Sequence, residues 1–440
     1  MSILIKNALV VTMNQKREVF SGNVYVENDR IAEVGSHREQ ADQVIDAGGH
    51  ALIPGLIQPH IHLCQTLFRG WADDMELLDW LKLRIWPLEG AHDAESIYYS
   101  ALLGCGELFQ GGTTAIVDME TVHHTEAAIQ AIADCGMRAI TGKVMMDWGE
   151  NVPPTLREDT ETSLRESVRL LEKWHGSAGG RIQYAFSPRF VVSCTEELLV
   201  EVRKLSRHYG VKVHTHASEN RGEIKLVERE RGMRNLVYLD HLGLTGPDLI
   251  LAHGIHLDAR EMQILSKSGT RVVHCPSSNM KLGSGIAPVP EMLANNIHVS
   301  IAADGAPCNN NLDMFQEMRL AALMQKPIHG PTAMPAARVF EMATLGGARA
   351  MGMEDLLGSV EVGKKADLAV VALTGLHNAP AEETDIYAQL VYQLKSSDVV
   401  ATMVDGKWVW KNGALTTIKA ADVRLQCNRA VARLRQQAGI

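Results

Sequence analysis

The sequence predicts an α/β chain: a (β/α)8 TIM-type barrel with a small β-sandwich domain built from both chain termini. Three observations carry that prediction. Eight apolar, β-branched runs recur between residues 52 and 305. Helix-like segments separate most of them. The two ends of the chain show a different rhythm, of short strands and turns.

The eight strand candidates are residues 52–59, 113–119, 137–146, 181–188, 211–218, 249–256, 271–278 and 298–305. Each ends where polar or small residues begin. Residues 126–135, 160–175, 196–209, 259–268 and 289–295 read as helices between them. Eight strands alternating with helices imply a closed parallel barrel, whose site lies at the C-terminal strand ends. The connection from 63 to 112 is unusually long and reads as a loop serving as a lid over the barrel mouth. Residues 3–13, 21–35, 44–52, 358–371 and 399–410 read as short strands, the last holding the hairpin signal Val404-Asp405-Gly406-Lys407. Neither end is long enough for a good sandwich alone. The expected division is 1–54 with 358–420 as a composite small β domain, 55–357 as the barrel, and 421–440 as a closing helix.

Composition narrows the function classes. Hydrophobic content of 46% and a pI near 6.1 fit an ordinary soluble protein. A net charge of −9, with no basic run, gives no electrostatic reason to expect nucleic acid or an anionic membrane surface. The apolar runs are too short to span a bilayer. The N-terminal residues lack the basic and apolar regions of a signal peptide. The seven cysteines are scattered without a CxxC pair and read as free thiols of a cytoplasmic protein.

The chemistry concentrates at strand ends. His60 and His62 are two apart, a spacing that puts both on one side of a strand. His214 and His216 share a face by the same rule, and spacing does not say which of them is the ligand. His253 ends the sixth strand and Asp304 the eighth. Three imidazoles and one carboxylate converging from separate strands make a divalent-metal site with room left for water. Glu219, three residues past His216, suits a carboxylic acid poised over that water. The fourth strand ends Ala185-Phe186-Ser187-Pro188-Arg189-Phe190, with no Lys to bridge two ions, which favours one metal.

Four segments then carry a resemblance. Gly55-Leu56-Ile57-Gln58-Pro59-His60-Ile61-His62, His216-Ala217-Ser218-Glu219, the stretch from His274-Cys275-Pro276-Ser277-Ser278-Asn279 to Gly285, and Asp304-Gly305-Ala306-Pro307-Cys308-Asn309-Asn310 resemble the amidohydrolase superfamily. The branch they are most similar to holds methylthioadenosine/S-adenosylhomocysteine deaminases, 5′-deoxyadenosine deaminases and s-triazine hydrolases. The late Gly363-Lys364-Lys365-Ala366-Asp367-Leu368 extends the resemblance over essentially the whole chain. It implies one divalent metal per chain, zinc foremost with Fe2+ or Mn2+ as alternatives. It assigns His60, His62, His216 and Asp304 as ligands, and Glu219, His253 and Asp304 as catalytic groups.

The resemblance also implies a reaction. Glu219 would protonate a ring nitrogen, and Asp304 would pass a proton from water to a departing amine; such steps contribute roughly 10²–10⁴-fold each. The implied substrate is an adenine nucleoside deaminated at C6. Trp86-Pro87-Leu88-Glu89 resembles the segment that brings a Glu to ribose hydroxyls, with Trp80 against the base. Arg189 stands where S-adenosylhomocysteine-type enzymes carry a His, and Lys143 where they carry an Arg, so a small uncharged 5′ group is expected. Arg189-Phe190 and Gln65 also resemble guanine deaminase, the alternative reading, with s-triazine hydrolysis behind it. A non-catalytic relative would be expected to lose ligands that this chain keeps. The expected partner is a small-molecule substrate, with neither nucleic acid nor membrane, and the expected assembly a homodimer or homotetramer.

Overall fold

The computed structural model describes residues 1–149, 152–380 and 384–440. Eight strands form the barrel: β1 (Leu56–Ile61), β2 (Thr113–Met119), β3 (Arg138–Gly142), β4 (Ile182–Pro188), β5 (Lys212–Ala217), β6 (Leu249–His253), β7 (Arg271–His274) and β8 (Val299–Ile301). They lie side by side in chain order, and every neighbouring pair is parallel. Past the end of β8 the circle closes onto β1, through Asp304 N–H to His60 O at 3.2 Å and Ala303 N–H to the Gln58 side chain at 3.0 Å. β2, β3 and β6 are buried along their whole length, as strands covered on both faces must be.

Several strand boundaries differ from the sequence expectation, each for a local reason. The run 52–59 is divided at Gly55: His50–Pro54 belongs to the small sheet and Leu56–Ile61 to the barrel. A Cβ on Gly55 would stand 2.1 Å from Thr114 Oγ1, so the chain passes between the sheets there only as glycine. The run 137–146 is interrupted at Lys143, with Val144–Met145 pairing separately to β4. β7 stops at His274 because Pro276 opens a short helix, Pro276–Lys281, at a position where its missing N–H costs nothing. β6 ends at His253, where the backbone turns left-handed (φ 73°).

The connection after β1 is only partly a loop. A 3-10 turn (Leu63–Phe68) and three short helical pieces (Leu77–Trp80, Leu81–Ile85, Trp86–Gly90) cover the barrel mouth. Its second half is a 17-residue helix, Ala94–Gln110, started by a capping box between Asp93 and Ser96.

Strands from both termini make one mixed nine-stranded sheet. The strand Arg30–Val34 at its far edge is tied back to the chain leading into Leu368–Ala372, by Ile31 N–H to Lys364 O and Gly363 N–H to Ile31 O. The sheet therefore curls around its own small core of Ile3, Val24, Leu368 and Met403. The hairpin at Val404–Lys407 is present, with Asp405 and Gly406 at φ 53° and 73°, the signs a two-residue type I′ turn requires. The closing helix, Ala420–Ala438, lies on the helix Ala94–Gln110. Among the described residues no helix is long and apolar enough to cross a membrane.

Arg138 at the start of β3 locks the two sheets together. Its guanidinium is buried and donates to both oxygens of Asp367 (2.7 and 3.0 Å) and to Asp405 (3.0 Å). Removing one member of a buried ion pair strands the others, at a cost of about 3–5 kcal/mol. Arg138→Met is therefore expected to lose about that much stability in urea unfolding. A loss below about 1 kcal/mol, the level of an exposed pair, would show that the two carboxylates find other partners.

Candidate active site

The barrel brings the predicted residues to one point by bending its strand ends. Between Gln58 and Ile61 the register of β1 on β2 slips by a residue, a bulge at Pro59-His60. Proline has no N–H for the ladder, and a bulge re-aims the side chain beside it. Ser218, His253 and Asp304, just past β5, at the end of β6 and past β8, all have left-handed backbones (φ 55°, 73° and 66°). Such conformations cost non-glycine residues about 1–3 kcal/mol each and persist where the surroundings enforce them.

At the centre, His60, His62, His216 and Asp304 face one another. Asp304 Oδ1 lies 3.2 Å from His60 Nε2 and 3.4 Å from His62 Nε2. His62 Nδ1 donates to Met119 O (2.8 Å) and His216 Nδ1 to Arg189 O (2.7 Å). Carbonyl oxygens only accept, so both rings carry their proton on Nδ1. Burial makes the charged forms costly and pulls His62 down to about 3 and His216 well below its usual value. Their two Nε2 lone pairs then point at each other across 3.2 Å, beside a carboxylate.

That arrangement is unfavourable unless a cation lies between them. His60 adds a further buried nitrogen, Nε2, with no hydrogen-bond partner among the described residues. Nitrogen and carboxylate donors of this kind fit a divalent metal of the zinc type. Ligand-type atoms of His60, His216 and His253, and of His60, Cys275 and Asp304, also lie within 4.8 Å of one another. Burial, with Asp304 next to it, raises the Cys275 thiol well above its usual pKa.

The structure separates the two histidines of β5. His216 reaches the centre, whereas His214 sits behind it, its Nε2 2.8 Å from His60 Nδ1. Glu219 and His253 stand on the cavity side of the cluster, 3.5 Å apart. Burial and the neighbouring Asp304 raise the Glu219 carboxyl well above its usual pKa, which favours its protonated form.

A partly open cavity lies over these groups. Gln65, Trp80, Arg189 and Phe190 line it, as do Leu77, Leu81 and Leu282, which sequence reading had not singled out. Glu89 is placed differently. It is buried behind Arg189 and Gln65, taking two hydrogen bonds from the guanidinium (2.6 and 3.1 Å) and one from Gln65 Nε2 (2.8 Å). A carboxylate has about four acceptor positions, so three are filled. Burial would lower the Arg189 pKa, but Glu89 more than offsets it. Lys143 points away from the cavity, to Glu158 and the Val144 carbonyl.

Three residues support the site through contacts that the sequence reading did not assign. Asp118 holds the exit of β1, accepting from Leu63 N–H and Thr141 Oγ1. Ser278 donates to Asp304 Oδ2 (2.7 Å), and Asn279 bonds His253 (2.9 Å). Spacing within β1, β5 and β8 gives no sign of contacts made from other strands.

The matching family model, described as the amidohydrolase family, covers residues 51–409. The chain belongs to the amidohydrolase family. It is 37% identical to the 5′-deoxyadenosine deaminase of Methanobrevibacter smithii, over 99% of this chain and 98% of that one. It is 38% identical to a 5-methylthioadenosine/S-adenosylhomocysteine deaminase of Desulforudis audaxviator, over 99% of each. Among solved structures, a zinc-bound adenosine deaminase from Xanthomonas campestris superposes with a TM-score of 0.92 at 31% identity, covering 99% of this chain and 98% of that one. Amidohydrolases typically depend on a metal, in keeping with the buried donor set described above.

The Glu89–Arg189 pair yields a stability prediction. Glu89→Leu strands a buried guanidinium and should cost about 3–5 kcal/mol. The double variant Glu89→Leu/Arg189→Met should recover most of that loss in thermal unfolding, because neither charge is left unpaired. Additive losses would show that the two side chains are not energetically coupled.

Proposed function

We propose that the chain is a single-metal hydrolytic deaminase acting at C6 of an adenine nucleoside with a small, uncharged 5′ group. The products are ammonia and the inosine analogue. The observation that carries this reading is the buried trio of Glu219, His253 and Asp304 against one metal-sized cluster of imidazoles. His60, His62, His216 and Asp304 would hold the ion, zinc by the nature of the donors. When bound, the ion supplies a water acidified to about pKa 7 and so a nucleophile at neutral pH.

The chain's own groups handle the protons. Attack of water on C6 pushes electron density onto the ring. Glu219, whose protonated form burial favours, gives its proton to the adjacent ring nitrogen. Asp304 takes one proton of the attacking water and delivers it to the amine, which leaves as ammonia when the C–N bond breaks; the proton left on the new C6 oxygen returns to Glu219 as the carbonyl forms. His253 orients the attacking oxygen. Phe190, Trp80 and the leucines of the lid exclude other water and pack on the flat base. An amine needs such a proton to leave, whereas chloride does not, which favours deamination over dehalogenation.

The relatives' names support an adenine nucleoside. The neighbouring cations support a small 5′ group: Arg189 is paired to Glu89 and Lys143 to Glu158. All seven cysteines are buried and free, which supports a reducing, cytoplasmic setting. One observation favours a second reading, an oxopurine base such as guanine. Arg189 and Gln65 line the cavity, whereas Glu89, the residue expected to meet ribose, stands behind them.

A coupled ammonia assay separates the readings. The substrates are adenosine, 5′-deoxyadenosine, methylthioadenosine, S-adenosylhomocysteine, guanine and melamine. The highest kcat/KM is expected for 5′-deoxyadenosine or methylthioadenosine, and Glu219→Gln should lower kcat at least ~10²-fold with metal retained. Guanine as the best substrate would transfer the site to the second reading. Near-normal turnover by Glu219→Gln would remove Glu219 from the chemistry.

A further inference from the structure

The segment Ser277-Ser278-Asn279 after β7 handles none of the reaction's protons, yet its three side chains each hold a different partner. Ser277 N–H donates to Glu317 Oε2 at 3.0 Å, and its hydroxyl to the other carboxylate oxygen. Ser278 Oγ donates to Asp304 Oδ2 at 2.7 Å. Asn279 Oδ1 lies 2.9 Å from His253 Nδ1. Glu317, wholly buried, also accepts from Asn309 Nδ2 (2.9 Å), which in turn donates to Ala303 O (2.8 Å). One carboxylate thus ties the segment after β7 to the loop that presents Asp304.

Asn279 is wholly buried and its backbone is fixed on both sides. Its N–H donates to Cys275 O (3.0 Å), and its carbonyl accepts from Ser284 N–H (2.9 Å). An amide oxygen only accepts, so the facing His253 Nδ1 carries the proton. The other nitrogen, Nε2, is then a lone pair directed at Glu219 (3.5 Å) and Asp304 (3.9 Å). His253 sits where the backbone has left the strand (φ 73°), so the pleat no longer sets the direction of its ring. The Asn279 carboxamide has no side-chain partner other than His253 among the described residues.

We propose that Asn279 is a positioning residue for the reaction. It fixes His253 as the Nδ1–H tautomer, leaving Nε2 to accept a hydrogen bond from the attacking water. Glu317 holds the segment that carries it. The proposal rests on the reading of His253 as the group that orients that water.

The test uses the holoenzyme and whichever nucleoside or base the wild type turns over best. Asn279→Leu keeps the volume and removes the acceptor, and Asn279→Asp keeps an acceptor oxygen in place. Asn279→Leu is expected to lower kcat about 10–100-fold, the usual loss when the partner of a site histidine is removed, with KM and metal content within about twofold. Asn279→Asp is expected to restore kcat to within about fivefold of wild type, since it preserves the acceptor that sets the tautomer. A merely structural role would move KM, metal content and melting temperature together, and the aspartate would not rescue. Unchanged kcat in Asn279→Leu, or equal losses in both variants, would overturn the proposal. Should Asn279→Leu fail to fold, 15N-histidine NMR of the wild-type zinc protein decides, with His253 assigned by difference against His253→Gln. An unprotonated Nε2 is expected, and a protonated Nε2 would overturn the proposal. Failure of the deaminase reading itself would show separately, as a wild type that releases no ammonia from any substrate.

Discussion

Two imidazole nitrogens that cannot both keep a proton govern this molecule. His62 and His216 each spend Nδ1–H on a backbone carbonyl, of Met119 and Arg189, and are left with lone pairs 3.2 Å apart. Repulsion at that distance is removed by a cation and by little else, because burial disfavours the imidazolium forms. The carbonyls that set this geometry lie at the end of β2 and just past β4, while the rings come from just past β1 and from β5. The centre therefore exists only when neighbouring strands hold their register. Its preference for a metal is a property of the closed barrel, and no single motif contains it.

The same closure carries the cost of the site. Three residues leave the strands in left-handed conformations, and Glu219, Asp304, Glu89, Arg189 and Glu317 are all buried. Each would be destabilising alone. Four of these five buried groups are instead held by partners on another element: Ser278 on Asp304, Gln65 and Arg189 on Glu89, Ser277 and Asn309 on Glu317. Far from the cavity, the Arg138–Asp367–Asp405 cluster fixes the small sheet against the barrel floor.

Much of this was legible in the sequence because strand ends are marked locally. The eight barrel strands lie where apolar runs stop at polar residues, and the helices Glu196–Tyr209 and Ala259–Ser268 have the predicted bounds. The convergence of His60, His62, His216 and Asp304 was readable because they close three different runs, with His60 and His62 together at the end of the first. What sequence did not supply was the partner across space. His214 and His216 are equivalent by spacing, and only the 2.8 Å contact to His60 shows that His214 lies one layer deeper. Glu89 looked like a free carboxylate, since nothing in Trp86-Pro87-Leu88-Glu89 announces a guanidinium that follows β4. The helix Ala94–Gln110 was hidden by its glycines, one of which lets Leu63 and Thr66 approach within 2.6–2.8 Å of where a side chain would begin.

The central claim, one cation held by three imidazoles and a carboxylate, is tested most directly by X-ray absorption on the zinc-loaded protein. The account predicts a first shell of nitrogen and oxygen only, at about 2.0–2.2 Å, with the outer-shell pattern of three imidazole rings. A sulfur scatterer at about 2.3 Å would place Cys275 on the ion. A metal–metal vector at about 3.5–4 Å would show a binuclear centre. Either result would contradict the account.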